Sequence, residues 1–231
     1  MHIPDGYLSP ETIVVTYAVA VPFWRAAGRS LRARLNFGGS SLAMAGAASA
    51  FMFVVQMFNV PVLGGTTGHA LGSAGIAIVF GPWFAVAATS VTLLVQALLF
   101  GDGGITAFAA NVLIMAVIAP FVGYWTYKGL SGRLRSVAGR LVATGLAGYA
   151  GINAAALSAA LLLGAQFYFF RVGGRPLYAP FPLTLAVPGI MAGHLFVFGP
   201  LEGFVSIAVV ALAGKEGWKE FGRAPGNGDD V

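Results

Sequence analysis

The chain has no cysteine, little charge and only three histidines in 231 residues. Without cysteine it forms no disulfide and offers no thiolate, which argues against copper(I) and structural zinc. Charged residues make up 9% and hydrophobic residues 58%, whereas soluble domains carry about 25% charged residues. That balance excludes an ordinary soluble domain and points to an integral membrane protein. The sequence contains no G-x-x-x-x-G-K-[ST] phosphate loop and no H-E-x-x-H, so neither an ATPase of the usual kind nor a metalloprotease is indicated. No basic region precedes the first apolar stretch near Ile13, so a cleaved signal peptide is not expected. The bulk of His2 favours retention of Met1.

Apolar stretches long enough to span a bilayer fall at 11–24, 38–58, 62–80, 83–100, 105–127, 139–164 and 184–213. They predict an all-α membrane protein of about seven transmembrane helices, forming a single domain over 1–213 with a short polar tail at 214–231. The third stretch is glycine-rich and is compatible with a partly re-entrant segment, which lipid tolerates only where protein buries it or it lines a cavity. Lys and Arg residues orient the bundle. Arg25, Arg29, Arg32 and Arg34, then Lys128, Arg133, Arg135 and Arg140, then Lys215, Lys219 and Arg223 fall on alternate connections. Of the 13 basic residues only Arg171 and Arg175 fall on the other side. This predicts the N-terminus outside and the C-terminus in the cytoplasm, with Trp24, Trp83, Trp125 and Trp218 at the inner interface. The net charge of +5 thus reflects topology and gives no support for nucleic-acid binding. In the sixth span Ala143, Ala147, Gly151, Ala155 and Ala159 recur every four residues, a row expected to pack against helices of the same chain.

The predicted topology brings His2, Asp5, His69 and Asp102 to the outer face. A free terminus followed by histidine offers the Met1 amine, the His2 amide and a His2 ring nitrogen, which close fused chelate rings on one ion. A second imidazole, from Gly64-Gly65-Thr66-Thr67-Gly68-His69, completes four nitrogens in a plane, a set suited to divalent nickel or copper rather than zinc, magnesium or calcium. Each donor also has a plain structural reading. His2 could belong to a frayed end, and His69 could cap the third span, although the surrounding glycines permit close backbone approach. Asp5, Thr67 and Asp102 are candidates to orient the donors; Asp5-Gly6 and Gly101-Asp102-Gly103-Gly104 equally read as turns. His194 is either a further group near the site or a core histidine bonded to a carbonyl. Glu202, deeper in its span, is paired, protonated or in contact with a partner. Gln96, Asn111 and Asn153 read as hydrogen-bonding glue between helices.

Three segments, Met1-His2-Ile3-Pro4-Asp5-Gly6-Tyr7-Leu8, Asn59–His69 (NVPVLGGTTGH) and Leu99–Asn111 (LFGDGGITAFAAN), resemble the CbiM/NikM family of substrate-specific membrane subunits of energy-coupling-factor transporters for cobalt and nickel. The resemblance covers nearly the whole chain. It implies seven helices with the N-terminal segment tucked into the extracellular side. It also implies metal ligation by Met1, His2 and His69, with nickel or cobalt as transported substrate and no organic cofactor. The implied partners are a coupling (T) subunit, cytoplasmic ATPase subunits and a small auxiliary membrane subunit. The implied location is a prokaryotic cytoplasmic membrane, and ATP hydrolysis belongs to other chains, so this one is no enzyme. Pro4-Asp5 favours nickel over cobalt, because many cobalt members read Met-Glu there. The competing expectation is a stand-alone ion- or proton-coupled secondary transporter working through His194 and Glu202.

Overall fold

A computed structural model describes residues 1–35, 40–62 and 66–213. Before any helix starts, residues 1–9 thread into one end of the bundle. Ser9 begins α1 (Pro10–Leu35): its hydroxyl accepts from the Thr12 amide, 3.2 Å away, as an N-terminal cap does. α1 runs well past Trp24, the end suggested by hydropathy. Arginine is a good helix former, so the helix continues where the apolar stretch stops. Trp24 therefore lies within the helix, donating to Ser90 Oγ at 3.3 Å and stacking on Phe108, and not at a boundary.

α2 (Ser40–Gln56) leads into a hairpin of β1 (Val60–Val62) and β2 (Thr66–Gly68). The third expected span is thus not a continuous helix. It consists of the hairpin, a buried extended stretch and α3 (Ser73–Phe80), whose 8 residues rise only about 12 Å. Gly81, at φ 86°, turns the chain into α4 (Pro82–Val95), which opens with proline at its first position. The remaining rods match the other expected spans. α4 continues into a π-helical stretch π1 (Gln96–Phe100); α5 (Phe108–Asn111), π2 (Val112–Ile118) and α6 (Ala119–Ser131) form one rod. α7 (Val137–Phe169) is capped by Ser136, and after the small hairpin β3 (Arg171–Val172) and β4 (Arg175–Pro176) the last rod comprises α8 (Leu183–Gly193), π3 (His194–Phe198) and α9 (Gly199–Ala213).

Counting α3, seven helical rods are present among the described residues. Four of them are long and apolar enough to cross a bilayer, and the protein is a multi-pass membrane protein. The small-residue row of α7 packs inside the chain as expected: Ala143, Ala147, Ala155 and Ala159 are fully buried. A side chain at Gly151 would meet the Ala119 carbonyl of α6 at 2.5 Å. The basic tail residues, Trp218 and the rest of 214–231, like Gly64 and Gly65, lie outside the described residues.

Candidate metal centre

Apart from its helices, the chain buries most of two irregular segments, residues 1–9 and the stretch from Gly68 to Gly72. Buried backbone needs partners, and the way these two segments find them builds the site. The Ile3 amide donates to Asn111 Oδ1 at 2.8 Å and Asn111 Nδ2 donates to the Ile3 carbonyl at 3.0 Å, so one side chain holds that residue as a neighbouring strand would. The Gly104 amide adds a bond to the same carbonyl. The Asp5 carboxylate accepts from the Ile105 and Thr106 amides at 3.1 and 2.8 Å and from the Thr106 hydroxyl. Those bonds, the Thr106 hydroxyl foremost, hold its pKa below the usual carboxylate range. Further along, the Tyr7 carbonyl accepts from Ala179, and the Ser9 amide donates to Gln166. Gly103 is a required glycine: its φ is +87°, and a side chain there would lie 3.1 Å from both the His2 ring and Asn111.

This clamp buries Met1 completely and leaves His2 5% exposed. The Met1 amine donates to the Thr67 carbonyl and lies 3.5 Å from Thr67 Oγ1. His2 stacks on His69, ring centroids 4.8 Å apart, with His2 Nδ1 facing His69 Nε2 at 3.2 Å. The outer nitrogens of the two rings decide what the inner ones carry. His69 Nδ1 stands 2.9 Å from the Ala70 carbonyl, which only accepts, so the proton of neutral His69 is on Nδ1. His2 Nε2 lies 3.2 Å from Gln96 Oε1, also an acceptor, and carries its proton likewise. Two lone pairs therefore face each other, with Asp102 Oδ1 a further 3.2 Å from His2 Nδ1. Asp102 is itself held by Asn59 Nδ2 at 3.3 Å.

Two imidazole nitrogens 3.2 Å apart, with a half-buried carboxylate beside one of them, offer donors to a single cation. Imidazole nitrogens bind ions at about 2.0–2.1 Å, so two adjacent donors on one ion stand about 2.9 Å apart, close to the distance found here. Electrostatics prepare the same site. Burial lowers the Met1 amine to about 5, against the opposing pull of Asp102. Burial, then the nearby amine, lower His2 to about 3, and burial takes His69 well below its ordinary range. All three nitrogens are neutral near pH 7 and need lose no proton to bind an ion. Among the described residues no three His, Cys, Asp or Glu side chains converge to hold a metal by themselves.

The structure thus brings Met1, His2, Thr67, His69 and Asp102 together, and Asp5 acts by holding the N-terminal segment. His194 is a buried histidine whose Nδ1 lies 2.7 Å from the Ile190 carbonyl one turn back in its own helix; its ring packs on Phe198. Its charge acts on His69, and that of the Met1 amine acts on it, so it lies near the donors. Glu202 is 1% exposed and its carboxylate is taken by backbone amides of this chain, so it does not present itself to a partner. Gln96 and Asn111 are more than helix glue, since one sets the His2 tautomer and the other seats Ile3. Their sequence neighbourhood, beside and within the Leu99–Asn111 segment, was the only signal that pointed to them.

The chain is thus a polytopic helical bundle that seats its own amino terminus beside two imidazoles. Comparison with known proteins gives the family: residues 2–218 match the cobalt uptake substrate-specific transmembrane region, CbiM, and the chain belongs to that family. It is 51% identical over 213 residues to the fused nickel transport protein NikMN of Rhodobacter capsulatus, covering 91% of this chain and 61% of that protein. It is 28% identical to the cobalt transport protein CbiM of Clostridium tetani, covering 94% and 80%. A solved structure of a truncated transition metal transporter superimposes with a TM-score of 0.86 at 43% identity, covering 93% of this chain and 99% of that one. The chain spans about three fifths of the length of the fused nickel relatives it matches.

Proposed function

We propose that this chain is the ion-capturing membrane subunit of a nickel or cobalt importer of the energy-coupling-factor type, with nickel the favoured substrate. The Met1 amine, the His2 amide, His2 Nδ1 and His69 Nε2 are the four donors. Asp102, Thr67 and Gln96 orient them, as outer groups of a metal site do. The observation that carries this reading is the opposition of His2 Nδ1 and His69 Nε2, 3.2 Å apart, beside a buried amine. Family membership, and the nickel and cobalt transport for which the relatives are named, support the choice of nickel or cobalt. Four nitrogens would reject magnesium and calcium, which take oxygen ligands; copper(II) would bind by intrinsic affinity and must be excluded by availability.

In this reading the chain works without catalysis. A coupling subunit, cytoplasmic ATPases and a small auxiliary membrane subunit complete the transporter in a prokaryotic cytoplasmic membrane, the donors facing outward and the last helix ending inside. The basic residues on alternate connections support that orientation. A stand-alone carrier working through His194 and Glu202 has less support, because backbone amides already occupy the Glu202 carboxylate and a carbonyl holds His194 Nδ1.

The test is nickel titration of the purified chain beside two others, one carrying an extra alanine before Met1 and one with His69→Ala. Both changes are expected to abolish tight binding. Normal binding by the extended chain would refute the proposed donors.

A further inference from the structure

His69 sits in an extended stretch with no helix or sheet of its own, so something else must fix it in place. The last rod grips that stretch on both sides of the histidine. Ahead of it, the Phe198 ring fills the space where a side chain at Gly68 would go, in direct contact with that backbone. Behind it, Glu202 Oε2 accepts from the Leu71 amide at 2.6 Å and from the Gly72 amide at 2.9 Å, while Oε1 lies 3.1 Å from the Gly72 nitrogen. The Ala74 amide points to the same carboxylate. Phe198 and Glu202 are four residues apart and so share one face of the rod.

The chemistry explains why a carboxylate stands at this depth. α3 starts after Gly72, which is left-handed (φ 74°) and has no side chain to cap the helix. The first amides of a helix lack partners within it and carry partial positive charge. Glu202 supplies from α9 the acceptor that a Ser or Asp normally supplies locally. The mount is also close: a side chain at Gly75 would lie 2.9 Å from Val209, and one at Gly148 2.8 Å from the Glu202 carbonyl. α9 therefore packs backbone-close against α3 and α7.

We infer that Glu202 is a positioning residue for metal capture: by capping α3 from α9 it fixes the backbone after His69, and so sets where His69 Nε2 meets the ion. The inference rests on the metal reading proposed above. It makes α9 the element that shares any shift of the His69 stretch when the ion binds or leaves.

The test compares wild type, Glu202→Gln and Glu202→Ala by nickel titration, by the absorption band of bound nickel and by amide exchange of Leu71 and Gly72. Groups that orient metal ligands contribute about 10- to 100-fold in affinity. Glu202→Gln keeps the shape and one acceptor, so it should fall toward the lower end of that range, and Glu202→Ala toward the upper end. Both should show a shifted nickel band and faster exchange at the two amides. Equal affinity and an identical band in a folded Glu202→Gln chain would overturn the inference and leave the donor set intact. A wild type that binds no nickel would overturn the metal reading and this role with it. Should Glu202→Ala not fold, Glu202→Gln decides alone. Rapid exchange of Leu71 and Gly72 in the wild type would also contradict the proposed anchor.

Discussion

At the scale of residues, the proposed site would work by settling where protons are before an ion arrives. Gln96 shows this most plainly, because its amide oxygen stands 3.2 Å from His2 Nε2 and favours the proton on that nitrogen. Gln96→Leu should weaken nickel binding by about 10- to 100-fold while leaving helical content unchanged, measured by calorimetry and circular dichroism. Gly103→Ala should lower thermal stability by about 1–2 kcal/mol for its left-handed backbone and also weaken binding, since the new methyl meets the His2 ring.

The Met1 amine titrates at about 5 in the fold against an ordinary 8.0, so between those values the unfolded chain holds a proton that the folded chain does not. Stability of the metal-free chain should therefore rise with pH across that window and fall as pH drops through it. A pH series of thermal unfolding beside the N-acetylated chain, whose slope should be smaller by the share of the amine and keep that of the buried imidazoles, checks the sign.

That Met1, His2 and His69 lie together was legible in the sequence because the proposed chelate is local: two adjacent residues would carry three of its four donors. Gln96 and Asn111 were not, because their roles depend on contacts spanning 94 and 108 positions. Polar residues in apolar spans otherwise look alike.

At the scale of elements, the three π-helical stretches fall where the site needs them. π1 begins at Gln96 beside His2; π2 comes directly after Asn111, which holds Ile3; π3 runs from His194 to Phe198, which supports Gly68. An extra residue in a helical turn rotates the preceding part of the helix against the part beyond it, and such turns are frequent at functional sites. Deleting the exposed Leu98 should restore ordinary helix, rotating Gln96 against the Asp102 loop by about 100°. Nickel affinity should drop sharply while the helical signal holds. An unchanged affinity would show that the π turn is incidental.

Hydropathy located the long rods because it reports residence in lipid. It placed the end of α1 too early, since arginines leave the membrane without ending the helix. It also gave the third stretch too much helix, since a buried extended segment is as apolar as a helical one. Only the glycines of 62–80 hinted at the difference.

At the scale of the whole molecule, the N-terminal segment is a plug seated among the loops of one end, tied to Thr67, Thr106 and Ala179. Large apolar side chains such as Phe196, Phe204 and Leu212 are exposed, as expected of a surface that faces lipid. The absence of cysteine makes orientation easy to test. A single Leu177→Cys, near the N-terminal end, should react with an impermeant thiol reagent in intact cells, and Gly132→Cys only after the membrane is opened. The opposite pattern would invert the topology and place the donors on the wrong face for uptake.

X-ray absorption at the nickel edge, on the loaded chain with its amino terminus free and then acetylated, asks the central question most directly. Four short nitrogen contacts with a square-planar edge feature, lost on acetylation, is the result expected. A six-coordinate shell rich in oxygen, indifferent to the state of the terminus, would contradict the account.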